Sequence, residues 1–196
     1  MTMSEQNDDD EQVPAVVLDY LPHGRADDDR PQYQKPALAY ALGVEEFRLF
    51  EVTLEEDVSL TITDRFDADP ADDLVANVRE IEYEDFSGAA QSELEHAIRD
   101  VIETDQRRFV DFYNDAQPIT LRLHQLNLLP GIGKKLRNNI LEERKRKPFQ
   151  SFDDLEERVS GLHNPKEVLV ERILEEIRED DLKYRTFVRV EEQQQG

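Results

Sequence analysis

Two glycines one residue apart, Gly131 and Gly133, stand behind Pro130 and directly before Lys134 and Lys135 in LLPGIGKKLRNNI, residues 128–140. Their types and spacing suit the capture of a phosphate. Glycine supplies positive φ and lacks a Cβ, so a tight turn can bring backbone N–H groups against a ligand. A helix opening at residue 134 begins with unpaired N–H donors and the positive end of its dipole. Lys134 and Lys135 on its first turn add point charge. Leu129, Ile132, Leu136 and Ile140 are spaced to pack the flanking segments together and fix the turn. Such a site holds a phosphodiester backbone without reading bases. The plainer alternative is a junction that needs glycine only to turn. PG alone would favour that reading; the whole LPGIGKK string favours the ligand.

Other chemistries find less to work with. His23, His96, His124 and His163 are far apart and show no metal-ligand spacing. Cysteine is absent, which removes disulfides, thiol catalysis and thiolate metal sites. Carboxylate pairs are so common that an acid–base couple drawn from them would be a coincidence of composition. The DDD runs at 8–10 and 27–29 read as solvated acidic loops before ordered Mg²⁺ sites. No Walker loop or G-x-S-x-G is present. Neither an enzyme nor a cofactor is expected.

The charge is strongly one-sided. Asp and Glu number 46 against 24 Lys and Arg, a net of −22, and only seven of the cations are lysine. Excess carboxylate with scarce lysine fits a halophile's cytosol, and a charge of this size also keeps molecules apart. The rival explanation is an acidic protein that recruits a basic partner. Residues 1–110 hold 29 acidic and 9 basic side chains, whereas 111–196 hold 17 and 15. Four of the seven lysines lie between 134 and 147. No apolar run suits a membrane helix, and the N-terminus has no secretory apolar core, so a cytoplasmic location without membrane contact is expected.

The elements that must position the glycines follow from periodicity. Residues 1–12 are polar and acidic and read as a disordered tail. Strands are predicted over 13–20, 37–43, 47–56, 57–66 and 75–86, with a long loop over 21–36. Five short strands suggest a small antiparallel barrel over 13–86. The period then becomes helical, with Ser87 as cap and Leu94, Ile98, Val101 and Ile102 as a stripe. Further helices are predicted over 105–116, 118–129, 134–147, 153–160 and 165–180, and a last strand over 183–190. The expected class is α+β in two domains, with a helical domain over 87–182 following the barrel. In the barrel, Tyr33, Tyr40, Phe47, Phe50 and Phe66 are candidate base-stacking residues, core burial being the alternative for each.

Residues 126–162, LNLLPGIGKKLRNNILEERKRKPFQSFDDLEERVSGL, resemble the helix-hairpin-helix modules that bind nucleic acid without sequence preference. The resemblance rests on the hydrophobic-Pro-Gly-hydrophobic-Gly-Lys hairpin, the isoleucine seven residues after Gly133, and the following F-x-S-F-D-D-L. It implies a motif over 117–147 in which Gly131, Ile132 and Gly133 contact phosphates by backbone. Lys134, Lys135 and Arg137 would contact them by side chain. Residues 153–178 resemble a degenerate second copy, in which Gly161 matches Gly131 but His163 stands in place of Gly133. Its acidic helix, with Glu167, Glu171, Glu175 and Glu176, suits packing rather than a second phosphate.

Residues 13–190 as a whole resemble the archaeal DUF655 family, most specifically in QPITLRLHQLNLLPGIGKK. That resemblance implies an OB-like barrel joined to a helix-hairpin-helix domain, and a nucleotide- or RNA-binding role in translation or around ribosomal RNA. The partners it implies are RNA in preference to DNA, ribosomal RNA or ribosome-associated proteins, bound by a monomer. A protein-interaction adapter that never touches nucleic acid is the alternative function.

Overall fold

Period-two alternation in the first half becomes a sheet, and the helical stripes of the second half become helices. The computed structural model describes residues 12–69 and 72–189, so the tail expected over 1–12 lies almost wholly outside the described residues. The protein is α+β, with a curled antiparallel five-stranded sheet, a half-barrel, and five α-helices. Its backbone falls into two compact units, Met1–Ala90 and Gln91–Gly196.

The first unit carries β1 (Pro14–Leu21), β2 (Leu38–Gly43), β3 (Leu49–Leu54), β4 (Arg65–Asp67) and β5 (Val75–Glu80) in the order β4-β1-β2-β3-β5. Among the described residues the two end strands do not pair, so the sheet is an open half-barrel where a small antiparallel barrel was expected. One face buries Ala15, Val17, Ala39, Ala41, Phe50, Val52 and Leu54 together. Full burial of each larger side chain contributes about 1.5–3 kcal/mol. All six residues of the central strand β2 are buried, and on its other face Tyr40 meets Phe86 edge-on at 5.5 Å.

The strand predicted over 57–66 is largely absent. Asp57 and Thr63 take positive φ (66° and 78°), which ends an extended run, and Asp64 closes a turn by accepting the Thr61 N–H at 2.8 Å. Short polar side chains that bond nearby backbone compete with the ladder. Only Arg65–Asp67 pairs with β1. Likewise β5 stops at Glu80, and Tyr83–Asp85 form a 3-10 turn closed by a Glu82–Asp85 capping box.

Helix α1 (Gly88–Thr104) opens at Ser87, whose Oγ accepts the Ala90 N–H at 3.1 Å. Leu94, Ile98, Val101 and Ile102 on it are buried. The second unit continues with α2 (Gln106–Asp115), α3 (Lys134–Arg146), α4 (Phe152–Arg158) and α5 (Pro165–Arg178). Inside it, the Tyr113 hydroxyl donates to the Pro165 carbonyl at 2.7 Å, and burial raises that phenol's pKa above its ordinary value.

Two predicted elements of this unit are corrected. Residues 118–129 do not form one helix. Pro118 pairs with His124 across a tight loop, in which the Thr120 hydroxyl accepts the Arg122 and Leu123 N–H groups. A 3-10 helix, Gln125–Leu128, follows. The β-branched pair Ile119-Thr120 is a weak helix former, and the Thr120 hydroxyl offers the backbone a competing bond. Residues 183–189 form no strand either. The Glu176 carboxylate, fully buried on α5, accepts the N–H groups of Thr186, Phe187 and Val188 at 2.8, 2.9 and 3.2 Å. The segment's backbone donors are thus used by one side chain rather than by a neighbouring strand.

Candidate functional site

The glycine turn is built on Asn127. Its side-chain oxygen accepts from the His124 N–H at 3.2 Å and from Arg137 Nη1 at 2.9 Å, while its amide nitrogen donates to the Ile132 carbonyl at 3.3 Å. One side chain therefore ties together the closing residue of the 118–124 loop, the glycine turn and the first turn of α3. His124 Nδ1 accepts the Leu126 N–H at 3.1 Å, so the imidazole serves as an N-cap acceptor and must be neutral there. Burial, then the charges of Arg144 and Arg137, hold its pKa below the usual histidine value.

Leu129 and Ile132 are buried beneath the turn, and Ile140 anchors α3 from the same side. The turn itself is exposed. Gly131 has φ +77°, a region that strains any residue with a Cβ. Gly133 is different: its φ of −88° and ψ of −171° are extended backbone that any residue adopts. A Cβ at either glycine would meet nothing within 4 Å. Gly133 is also the N-cap of α3, where serine or aspartate would ordinarily bond the first amides, and it makes no such bond. The N–H groups of Gly131, Gly133, Lys134, Lys135 and Leu136 accordingly have no acceptor among the described residues. They lie on one exposed turn at the positive end of a thirteen-residue helix.

The predicted site residues divide by role. Gly131, Gly133, Lys134 and Lys135 are exposed together at the turn. Ile132 is not available as an amide donor, because its N–H is bonded to the Leu129 carbonyl at 3.2 Å and its side chain is buried. Arg137 is half-buried and directed to Asn127 and Asn138, so it braces the turn while adding charge beside it. The spacing His124-x-x-Asn127, a capping-box pattern at the head of the 3-10 helix, is the sequence signal for the brace.

Residues 153–178, expected as a degenerate second copy, place their side chains otherwise. Gly161 has φ +91°, and a Cβ there would lie in ordinary contact with Leu136 Cδ1 at 3.8 Å. Three of the four acidic side chains of α5 are engaged: Glu167 with Arg99 at 2.7 Å, Glu175 and Glu176 with Arg172, while Glu171 is exposed. In the sheet unit Tyr40, Phe47, Phe50 and Phe66 are buried, which leaves Tyr33, 84% exposed, as the one candidate stacking residue in solvent. Among the described residues no group of three His, Asp or Glu side chains is arranged to hold a metal, and no helix is long and apolar enough to cross a membrane.

The family described as protein of unknown function (DUF655) matches residues 11–189. The uncharacterised protein MJ0038 of Methanocaldococcus jannaschii is 38% identical over 179 residues, which is 89% of this chain and 79% of that protein. The crystal structure of Af1531 from Archaeoglobus fulgidus, also of DUF655, superposes with a TM-score of 0.83 at 39% identity, covering 91% of this chain and all of the other. The chain belongs to the DUF655 family.

Proposed function

We propose that this protein binds nucleic acid, RNA in the first instance, by gripping the phosphate backbone at the 131–137 turn, and that it catalyses no reaction. On this reading Gln125–Leu128, the turn and α3 form a helix-hairpin-helix module, and the half-barrel is an OB-like domain. Ribosomal RNA is the leading target through the family resemblance.

One observation carries the reading. Gly133 has no conformational or packing reason to be glycine, yet it leaves the amides of a helix start bare and open to solvent. An arrangement of free N–H donors without a Cβ in front of them suits close approach of an anion. Lys134 and Lys135, exposed on the same turn, supply charge. Directional amide contacts also act at short range, where they survive salt that would screen a diffuse basic patch.

The test separates folding from binding. Gly133→Ser introduces a preferred N-cap, so the protein becomes more stable by a few tenths of a kcal/mol. The new hydroxyl takes the amides a phosphate would use, and RNA affinity falls about tenfold, the worth of roughly one hydrogen bond to a charged group. Lys134→Ala with Lys135→Ala weakens binding about equally across sequences and makes the log–log salt slope shallower by roughly one per lost contact. Equal RNA retention by native and both variants, or no retention at all, overturns the proposal and leaves the adapter role standing.

A further inference from the structure

The seven lysines divide sharply by what the fold does with them. Lys166 pairs with Glu103 at 2.6 Å, Lys35 donates to the Arg25 carbonyl at 3.4 Å, and Lys183 lies over the Tyr184 ring. The four on or next to α3, Lys134, Lys135, Lys145 and Lys147, are exposed, and their ammonium groups make no hydrogen bond or ion pair among the described residues. The Asp154 carboxyl, held below its ordinary pKa first by the Gln150 N–H and then by Arg158, also feels the charge of Lys147.

Cations at the end of a helix usually serve its C-terminal carbonyls. Here that role is already filled. Arg158 Nη2 donates to the Glu143 and Lys147 carbonyls, both at 2.7 Å, and its guanidinium stacks on Phe149. Arg144 turns to the end of α2, where Nη1 donates to the Tyr113 and Ala116 carbonyls. Arg146 pairs with Glu143 at 3.3 Å. Lys145 and Lys147 are therefore spare cations with no structural assignment.

Helical phase connects Lys145 to the glycine turn, whereas Lys147 is the C-cap just past the end of α3 and off that phase. Positions 134, 138, 141 and 145 recur at i, i+4, i+7 and i+11, a single row along α3. Asn138 lies between the two lysines of that row; its oxygen is bound by Arg137 Nε, which leaves its amide nitrogen as a donor. Leu141, half-buried, fills the remaining position, and the exposed Glu142, four residues after Asn138 and three before Lys145, borders the row. At 1.5 Å rise per residue the row is about 16 Å long.

Resting on the reading that the turn binds a phosphate backbone, we infer that the strand continues along α3 past Asn138 and is held by Lys145, with Lys147 as a further cation beyond the helix end. The protein then recognises a run of phosphates and not a terminal phosphate or a mononucleotide. In a duplex, where each strand carries one charge per about 3.4 Å of axis, the row would span about five phosphates, and an extended single strand presents fewer.

The experiment measures fluorescence anisotropy of labelled single-stranded RNA of three and of twelve nucleotides with the full chain. It compares the native protein, Lys145→Ala/Lys147→Ala and Lys134→Ala/Lys135→Ala. Both double variants change exposed side chains without partners, so both fold. The proposal expects the Lys145/Lys147 variant to lose about tenfold in affinity for the twelve-mer, with a log–log salt slope shallower by about 1.5, and to bind the three-mer like the native chain. Unchanged twelve-mer affinity and slope, while the Lys134/Lys135 variant weakens, overturns the track and leaves the turn. If the native protein binds neither RNA, both readings fall together. Capture of a poly-glutamate peptide that depends on Lys145 and Lys147 would then assign the cations to an acidic protein.

Discussion

The imidazole of His124 makes the turn sensitive to pH in a window where few other groups titrate. Its Nδ1 can accept the Leu126 N–H only while unprotonated, and burial with the nearby Arg144 and Arg137 lowers its folded pKa. In the unfolded chain histidine takes a proton near pH 6.5. A group with a depressed folded pKa contributes stability that is present above the unfolded value and is lost as pH falls below it. Urea midpoints should therefore drop between pH 7.5 and 5.5, before the carboxylates titrate. His124→Asn, which keeps a capping oxygen, should flatten that change; an equal pH dependence in both proteins would place the effect elsewhere. Gly131 and Gly133 show the same economy. One is glycine for its φ, the other for the space it leaves.

At the scale of elements, a single carboxylate does the work of a strand. Glu176 is buried on α5, paired through its second oxygen with Arg172 at 2.9 Å, and Arg172 in turn holds the Tyr184 carbonyl at 2.7 Å. Glu176→Ala leaves the buried Arg172 only the partly exposed Glu175, at 3.4 Å, and strands three N–H groups; it should cost about 3–5 kcal/mol, with fast amide exchange at 186–188. Glu176→Gln keeps an acceptor but not the charge and should fall between; native-like protection at 186–188 in the alanine variant would refute the clamp. This clamp also explains what the sequence could and could not show. The alternation of KYRTFV predicts a strand because hydrophobic period reports which side chains are covered, and Phe187 is indeed packed on Phe109 and Phe112. Period does not reveal what receives the backbone N–H groups. The same gap accounts for 57–66 and 118–129, where Asp64, Thr120 and His124 redirect the chain by side-chain bonds. By contrast, β1, β2, β3 and the α1 stripe were legible because burial alone defines them. At the turn, the two glycines and lysines could be read directly, whereas Asn127, the brace beneath them, is signalled only by its capping-box spacing from His124.

For the whole molecule, charge sets the conditions under which the fold is comfortable. A net charge of −22 repels itself in the compact state, and salt relieves that repulsion as the Debye length shrinks from about 10 Å at 0.1 M to about 3 Å at 1 M. The thermal midpoint should rise by about 5 °C on going from 0.1 to 1 M KCl, as a stabilisation of roughly 1–2 kcal/mol would give. A flat or falling midpoint in a calorimetric salt series would show that ion pairs such as Arg99–Glu167 outweigh the repulsion. The Glu176 clamp has a further consequence, one of timing. The chain emerges from the ribosome N-terminus first, and α5 needs donors from Thr186, Phe187 and Val188 before its buried carboxylate is satisfied. The helical unit thus cannot finish folding until its last described residues have been synthesised, and a chain cut short before them carries an unpaired acceptor and a bare aromatic face that mark it as incomplete.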